Sequence, residues 1–210
     1  MRVRPVSVEN LVEELAEELS SRKPDSFLRV AIDGPAAAEP GRLADALIDP
    51  LRLWGRPAVR VDTADFLRPA SLRLEFGREN PDSFYAGWFD EAGLAREVLD
   101  RAGPGGDGRV LTRLWNAATD RSARDSYHPL DPGSVLLVSG PLLLGGGLSF
   151  DFTVHLEMSA AALLRRTPPG QQWTLPAFAR YATEVDPSAF ADVVLRVDDP
   201  SRPARVEQRW

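Results

Sequence analysis

Apolar positions recur along the chain with two different periods. In residues 8–21, Val8, Leu11, Val12, Leu15, Ala16 and Leu19 fall at helical spacing between glutamates, and Ser7 is placed to cap the first turn. Residues 27–32 form a short apolar run of strand type. The helical period returns over residues 42–54 and stops at Gly55, and a second strand follows at 58–61. Residues 62–90 are rich in arginine, aromatic and turn residues and show no clear period, which predicts a long functional loop or small insertion. A helix over 91–101 runs into the breaker Gly103-Pro104-Gly105-Gly106, and a weaker strand is expected at 109–115. "VLLVSG" at 135–140 is an apolar run stopped by Ser-Gly, the pattern of a central parallel strand. Strands at 152–157 and 191–197 flank helices at 159–166 and 175–184, and the polar tail from Asp198 is expected to fray. Strands alternating with helices predict a three-layer, doubly wound α/β fold with a mainly parallel sheet, in one domain spanning residues 1–210.

Composition narrows the function. The chain has 210 residues, 43% of them apolar, enough for a substantial core. Its net charge of -6 argues against a nucleic-acid platform. It has no cysteine, hence no thiol nucleophile or thiolate metal site, and its two histidines, His128 and His155, lie too far apart in sequence to suggest a metal site. The first residues are acidic where a signal peptide needs an apolar stretch, and there is no run of about 18 apolar residues. A soluble, cytoplasmic protein with no membrane partner is expected. Lys23 is the only lysine.

The stretch "AIDGPAAAEPGRLADAL" has the strand, small-residue loop and helix order of a phosphate-binding loop. Such a loop works through backbone N–H groups at a helix N-terminus, a lysine that reaches the outer phosphates and a hydroxyl on Mg²⁺. Five, six and seven residues after Gly34, where Gly, Lys and Ser/Thr are needed, stand Glu39, Pro40 and Gly41. Pro40 has neither N–H nor ammonium, and Gly41 has no hydroxyl. Glu39 puts a carboxylate beside any bound phosphate. One such like-charge pair at about 4 Å costs roughly 4 kcal/mol at an effective dielectric near 20, or about a thousandfold in affinity. Arg42 is the nearest cation in sequence, and its planar fork does not mimic a lysine.

With "VAIDGP…LADAL", "ADFLRPASLRLEFGRENPDSFYAGWFD", "GPGGDGR", "VLLVSGPLLL" and "EVDPSAFADVVLRVDDP", residues 27–200 resemble the uridine kinase-like P-loop proteins of actinobacterial type. The resemblance implies a doubly wound parallel sheet with ATP on the loop, after an N-terminal helical segment (1–22). It implies an acceptor-site segment at 62–90 and a shortened lid at 165–176, with Arg165 and Arg166 its cations. It also places Asp65 just after the second strand as acid or base toward the acceptor hydroxyl. Arg68 then matches the family's D-F-x-R-P, and Asp120 with Arg121 falls where an acidic residue lines the acceptor site. Ser139 stands where an aspartate would help to hold Mg²⁺.

Simpler readings remain open beside these. Glu39-Pro40-Gly41 also suits a plain helix start, with proline in the first turn and an acidic residue at the positive dipole end. Asp65 could merely cap its segment. Arg68, Arg73 and Arg78, interleaved with Phe66, Phe76, Phe84, Tyr85, Trp88 and Phe89, form either a pocket wall for an aromatic or anionic small molecule, with Asp90 a further substrate-binding candidate, or a small aromatic satellite core. Trp115 and Asn116 are further pocket candidates, and Asp120-Arg121 suits a surface turn equally well. His155, inside an apolar strand, is expected to be a packed, hydrogen-bonded core residue, and His128 to be exposed. Gly145-Gly146-Gly147 is either a flexible hinge or a close backbone approach to a ligand. The expectation is a degenerate kinase-like protein, with no cofactor, that keeps a small-molecule pocket around Asp65 for binding or a metal-free reaction. The alternatives are an active ATP- and Mg²⁺-dependent small-molecule kinase that uses arginines, and a non-catalytic regulatory partner. The oligomeric state is not legible.

Overall fold

The structure, a computed structural model, describes residues 2–23 and 25–207. The strands β1 (Arg2–Pro5), β2 (Leu28–Asp33), β3 (Ala58–Asp62), β8 (Val135–Gly140), β9 (Phe152–Glu157), β10 (Val193–Arg196) and β11 (Ala204–Glu207) build one sheet in the order β1-β11-β10-β9-β2-β8-β3. The five from β10 to β3 are parallel, and β11 and β1 add antiparallel at one edge. The small strands β4 (Arg109–Val110), β5 (Trp115–Asn116), β6 (Arg121–Ser122) and β7 (His128–Pro129) pair as two separate ribbons.

Strand periodicity sends alternate residues to opposite faces. Leu28, Val30 and Ile32 of β2 join Val135 and Leu137 of β8, and pack under α1 (Val8–Ser20) and α2 (Pro40–Leu53). Ala31, Leu136 and Val138 face the other way. They meet Leu94, Val98 and Leu99, from α5 (Glu91–Leu94) and the π-helical turn Ala95–Leu99 that continues it, and Tyr181 of α7 (Leu175–Glu184). The layers are therefore helix, sheet, helix, the predicted α/β architecture. Both central strands are buried along their whole length, as their unbroken apolar runs require.

Several expectations are corrected. Among the described residues the tail does not fray: residues 204–207 form β11, which β1 flanks as a strand that the sequence pattern did not reveal, and the expectation for 208–210 lies outside the described residues. Both are short and charged, so their pairing rests on ladder hydrogen bonds more than on an apolar run. The strand before them is confined to Val193–Arg196. The strand expected at 109–115 is instead two two-residue pieces outside the main sheet. The aperiodic segment 62–90 contains α3 (Ala70–Arg73) and α4 (Pro81–Gly87), the latter capped by the Asn80 side chain, which accepts from the Ser83 N–H at 2.9 Å. In the glycine run, Gly145 (φ +77°) packs closely on the protein's own Val185, whose side chain a Cβ there would overlap.

At the amino ends of the strands, Asp151 binds Arg29 at 2.9 Å and Lys23 at 2.6 Å. Burial pushes the Asp151 carboxyl up, but hydrogen bonds from Arg29 and Lys23 outweigh it and hold the group at about 2. Lys23 is thus committed far from the carboxyl ends of the strands. From β2 the chain crosses first to β3 on one side and later to β9 on the other. The carboxyl end of β2 is therefore a topological switch point, where open α/β sheets place ligands.

Candidate functional site

Beyond Asp33 the chain turns through a 3₁₀ piece, Ala36–Ala38, and enters α2 at Pro40. Glu39 sits between them in the left-handed region (φ 58°, ψ 48°), a conformation in which glycine is far more at ease. The loop keeps the turn but spends its donors on itself. Gly34 N–H bonds the Gly140 carbonyl at 3.0 Å, Ala38 N–H that of Pro35 at 2.8 Å and Glu39 N–H that of Ala36 at 3.0 Å. Pro35 and Pro40 have no N–H, so five of the eight positions from 34 to 41 offer nothing to an anion. The Glu39 carboxylate lies 2.8 Å from Arg42 and 3.7 Å from Arg166 of α6 (Ala160–Arg166), which also reaches the Ala37 carbonyl at 3.4 Å. Both cations nearest the loop are thereby engaged by its own acid.

The second feature involves Arg60, a β3 residue that the sequence reading passed over. Its guanidinium lies against Gly41, where an added Cβ would overlap Nη2 and stand 3.1 Å from Cζ. Nε donates to the Ser139 hydroxyl at 3.2 Å, Nη1 to both oxygens of Asp45 at 3.0 Å, and Nη2 to Asp62. In the family that the sequence resembles, the residue at position 41 would carry a hydroxyl for Mg²⁺, and that at 139 an acid. A fixed organic cation stands between them, its charge balanced by Asp45 and Asp62. The residues present do not fit a divalent ion there, because the guanidinium would repel it and Ser139 is a neutral ligand already in use.

Beside the loop lies a cavity of about 1270 Å³. One wall is the loop and α2 start, with Glu39, Pro40, Gly41 and Arg42. Asp62 ends β3, Thr63 and Ala64 follow it, and Arg166 and Trp173 come from the lid segment. The far wall is aromatic. Phe84, buried, takes edge contacts from Trp88 at 5.4 Å, Trp173 at 5.8 Å, Phe178 at 5.7 Å and Phe89 at 5.9 Å, and Trp88 lies 5.2 Å from Trp173. Phe84, Trp88 and Phe89 of segment 62–90 are therefore both a satellite core and a pocket wall, completed by lid and α7 aromatics that local sequence does not connect to them. The Trp88 indole N–H is buried with no partner among the described residues.

Of the residues singled out by sequence, Glu39, Pro40, Gly41, Arg42, Arg78, Phe84, Trp88, Phe89 and Arg166 meet at this cavity. Asp65 does not line it: its carboxylate turns to Arg113 at 2.7 Å, and it is Asp62, three residues earlier, that faces the cavity beside Glu39 and Glu79. Arg73 is buried, donates to the Arg68 carbonyl at 2.7 Å and stacks over Trp88 at 5.1 Å, and Arg68 reaches the Gly87 carbonyl at 3.4 Å. Both arginines support the aromatic wall from behind. Tyr85 donates to Glu184 at 3.2 Å under Arg180, outside the cavity, and burial raises its phenol above the ordinary value. Asp90 caps α5 through the Gly93 N–H at 2.9 Å. Asp120 is a clamp, accepting from Ala70 N–H at 2.8 Å and from the Trp115 indole at 3.1 Å, with exposed Arg121 next to it in the β5–β6 hairpin. Ser139 serves Arg60, Arg165 is exposed, and Gly34 borders a different cavity.

A parallel sheet of order 3-8-2-9-10, with a loop and helix N-terminus following its middle strand, is the fold of the P-loop kinases. Solved structures agree. A "possible uridine kinase" from Bacillus stearothermophilus is similar with TM-score 0.72 and 19% identity over 89% of this chain and 98% of that one. A "putative fructose transport system kinase" from Silicibacter sp. TM1040 gives 0.56 and 22% over 89% and 93%, and the YGR205w protein 0.56 and 11% over 97% and 100%. No protein-family profile matches the sequence, and no curated protein matches it. Among the described residues no helix is long and apolar enough to cross a membrane.

Proposed function

We propose that this chain is a P-loop kinase-like protein that has given up Mg-ATP-dependent phosphoryl transfer and binds a neutral, nucleoside-like small molecule in the cavity beside its loop. The observation that carries this reading is the self-filled phosphate site. Glu39 occupies the anion position and pairs with both Arg42 and Arg166, while Arg60 occupies the metal position. A kinase that uses arginines in place of the loop lysine would need those guanidiniums free, and the ion pairs disfavour it.

The cavity favours a ligand that joins a flat ring to hydroxyls. The ring packs against Trp88, Trp173 and Phe178, and the hydroxyls reach Asp62 and Thr63. Cations and carboxylates on the walls balance, so a neutral ligand incurs the least electrostatic cost. Asp62 accepts from the Ala64 N–H at 2.9 Å and from Arg60, which holds its carboxylate in place for a further donor. Asp65, paired with Arg113, supports the turn in this scheme and carries no proton transfer.

Calorimetric titration tests the reading. Mg-ATP is expected to give no heat of binding, while uridine or adenosine binds and Trp88→Ala or Asp62→Asn weakens it at least tenfold. Tight Mg-ATP binding would refute the loss of the nucleotide site. Absence of binding by both nucleosides would refute the small-molecule assignment.

A further inference from the structure

A second cavity, of about 580 Å³, lies between the carboxyl end of β9 and helices α6 and α7. Its walls are largely aliphatic and aromatic, with Leu142, Leu163, Leu175 and Phe178 prominent. At its floor is a polar network that the proposed function does not use. Asp33 is wholly buried; one oxygen accepts from the Leu143 N–H at 2.9 Å, and the other meets the Tyr181 hydroxyl at 3.1 Å and His155 Nδ1 at 2.7 Å. Parallel register puts Asp33 opposite His155 on the same face of the sheet. The Tyr181 oxygen already accepts from the Leu144 N–H at 2.9 Å, so its single hydrogen goes to Asp33.

This network assigns the imidazole hydrogen to Nδ1, because the carboxylate there is an acceptor. In the neutral ring Nε2 is then an acceptor. The His155 side chain is 9% exposed and lines the cavity, and Nε2 has no hydrogen-bond partner among the described residues. A buried carboxylate behind an imidazole strengthens the far nitrogen as an acceptor, which favours an acidic hydroxyl over an aliphatic one. The charged residues on the cavity wall are Glu157 and Asp186, with no lysine or arginine, so an anionic ligand is disfavoured. We propose that this cavity binds an apolar aromatic molecule bearing one hydroxyl, of the phenol class, whose O–H donates to His155 Nε2.

The chain has two histidines, so its imidazole nitrogens can be followed one by one in ¹⁵N-labelled protein. Titration of the unmodified protein with 2-naphthol should shift the His155 Nε2 resonance saturably and leave exposed His128 unmoved. Its capped analogue, 2-methoxynaphthalene, should bind about tenfold more weakly without that shift, about the worth of one hydrogen bond to a strengthened acceptor. His155→Phe should lower 2-naphthol affinity to that of the capped analogue. An unmoved His155 would overturn the proposal even if 2-naphthol bound in the larger aromatic cavity, and so would equal affinity for the two compounds.

Discussion

Gly41→Ala is expected to reverse the sign of its effect on stability according to what stands at position 60. Gly41 lies in the first turn of α2, where an alanine normally gains up to about 1 kcal/mol by helix propensity. Here the new Cβ would overlap Nη2 of Arg60. That atom is the end of a flexible side chain, so the cost is not a rigid clash but the loss of what pins it: the bonds to Ser139, Asp45 and Asp62. Arg60 is 27% exposed, Asp62 33% and Asp45 58%, so each bond contributes only about 0.5–1 kcal/mol. Losing them together costs about 2 kcal/mol, and Gly41→Ala alone should destabilise by about 1 kcal/mol after the helical gain. With Arg60→Ala beneath it, the same change should stabilise by about 0.5–1 kcal/mol. Urea unfolding of the four proteins measures the cycle, with an expected coupling of about 2 kcal/mol. If Gly41→Ala stabilised both backgrounds equally, the guanidinium would not occupy the missing side chain's place, and the account of the metal position would fail.

Glu39→Gly should stabilise the fold by about 0.5–1 kcal/mol, because relief of left-handed strain exceeds the loss of an exposed ion pair; it should also raise affinity for inorganic pyrophosphate, read by calorimetry. Asp151 has a folded pKa of about 2 against 3.8 for the free group, which corresponds to about 2 kcal/mol of stabilisation. For a depressed carboxyl this is fully present above pH 4 and is lost as pH falls through 2. The stability gap between wild type and Asp151→Asn, followed by chemical denaturation, should therefore close over that window. Phe84→Ala, which removes the ring that four aromatics pack against, should destabilise by about 3 kcal/mol and flatten the near-ultraviolet circular dichroism.

The alternation of buried strands and amphipathic helices was readable because periodicity is a local property, set by which face each element buries. So were the residue types in the loop, since Glu39, Pro40 and Gly41 are read directly at a fixed spacing from Gly34. His155 as a hydrogen-bonded core residue was also legible, because an imidazole in an apolar strand needs a partner. Its partner was not. Nor could sequence separate Asp62 from Asp65, two acids three residues apart on one short turn, one facing the cavity and the other drawn to Arg113.

What the sequence alone determined, then, is the α/β class and the absence of a lysine and hydroxyl from the loop, both consequences of residue type and spacing. Tertiary structure decided what replaced them. Arg60 fills the space at Gly41 only because β3 runs beside α2, Asp33 faces His155 only through the β2–β9 register, and β1 is a strand only because β11, itself paired with β10, supplies its hydrogen bonds from the opposite end of the chain. Those choices depend on contacts between segments far apart in sequence, and no local pattern encodes them.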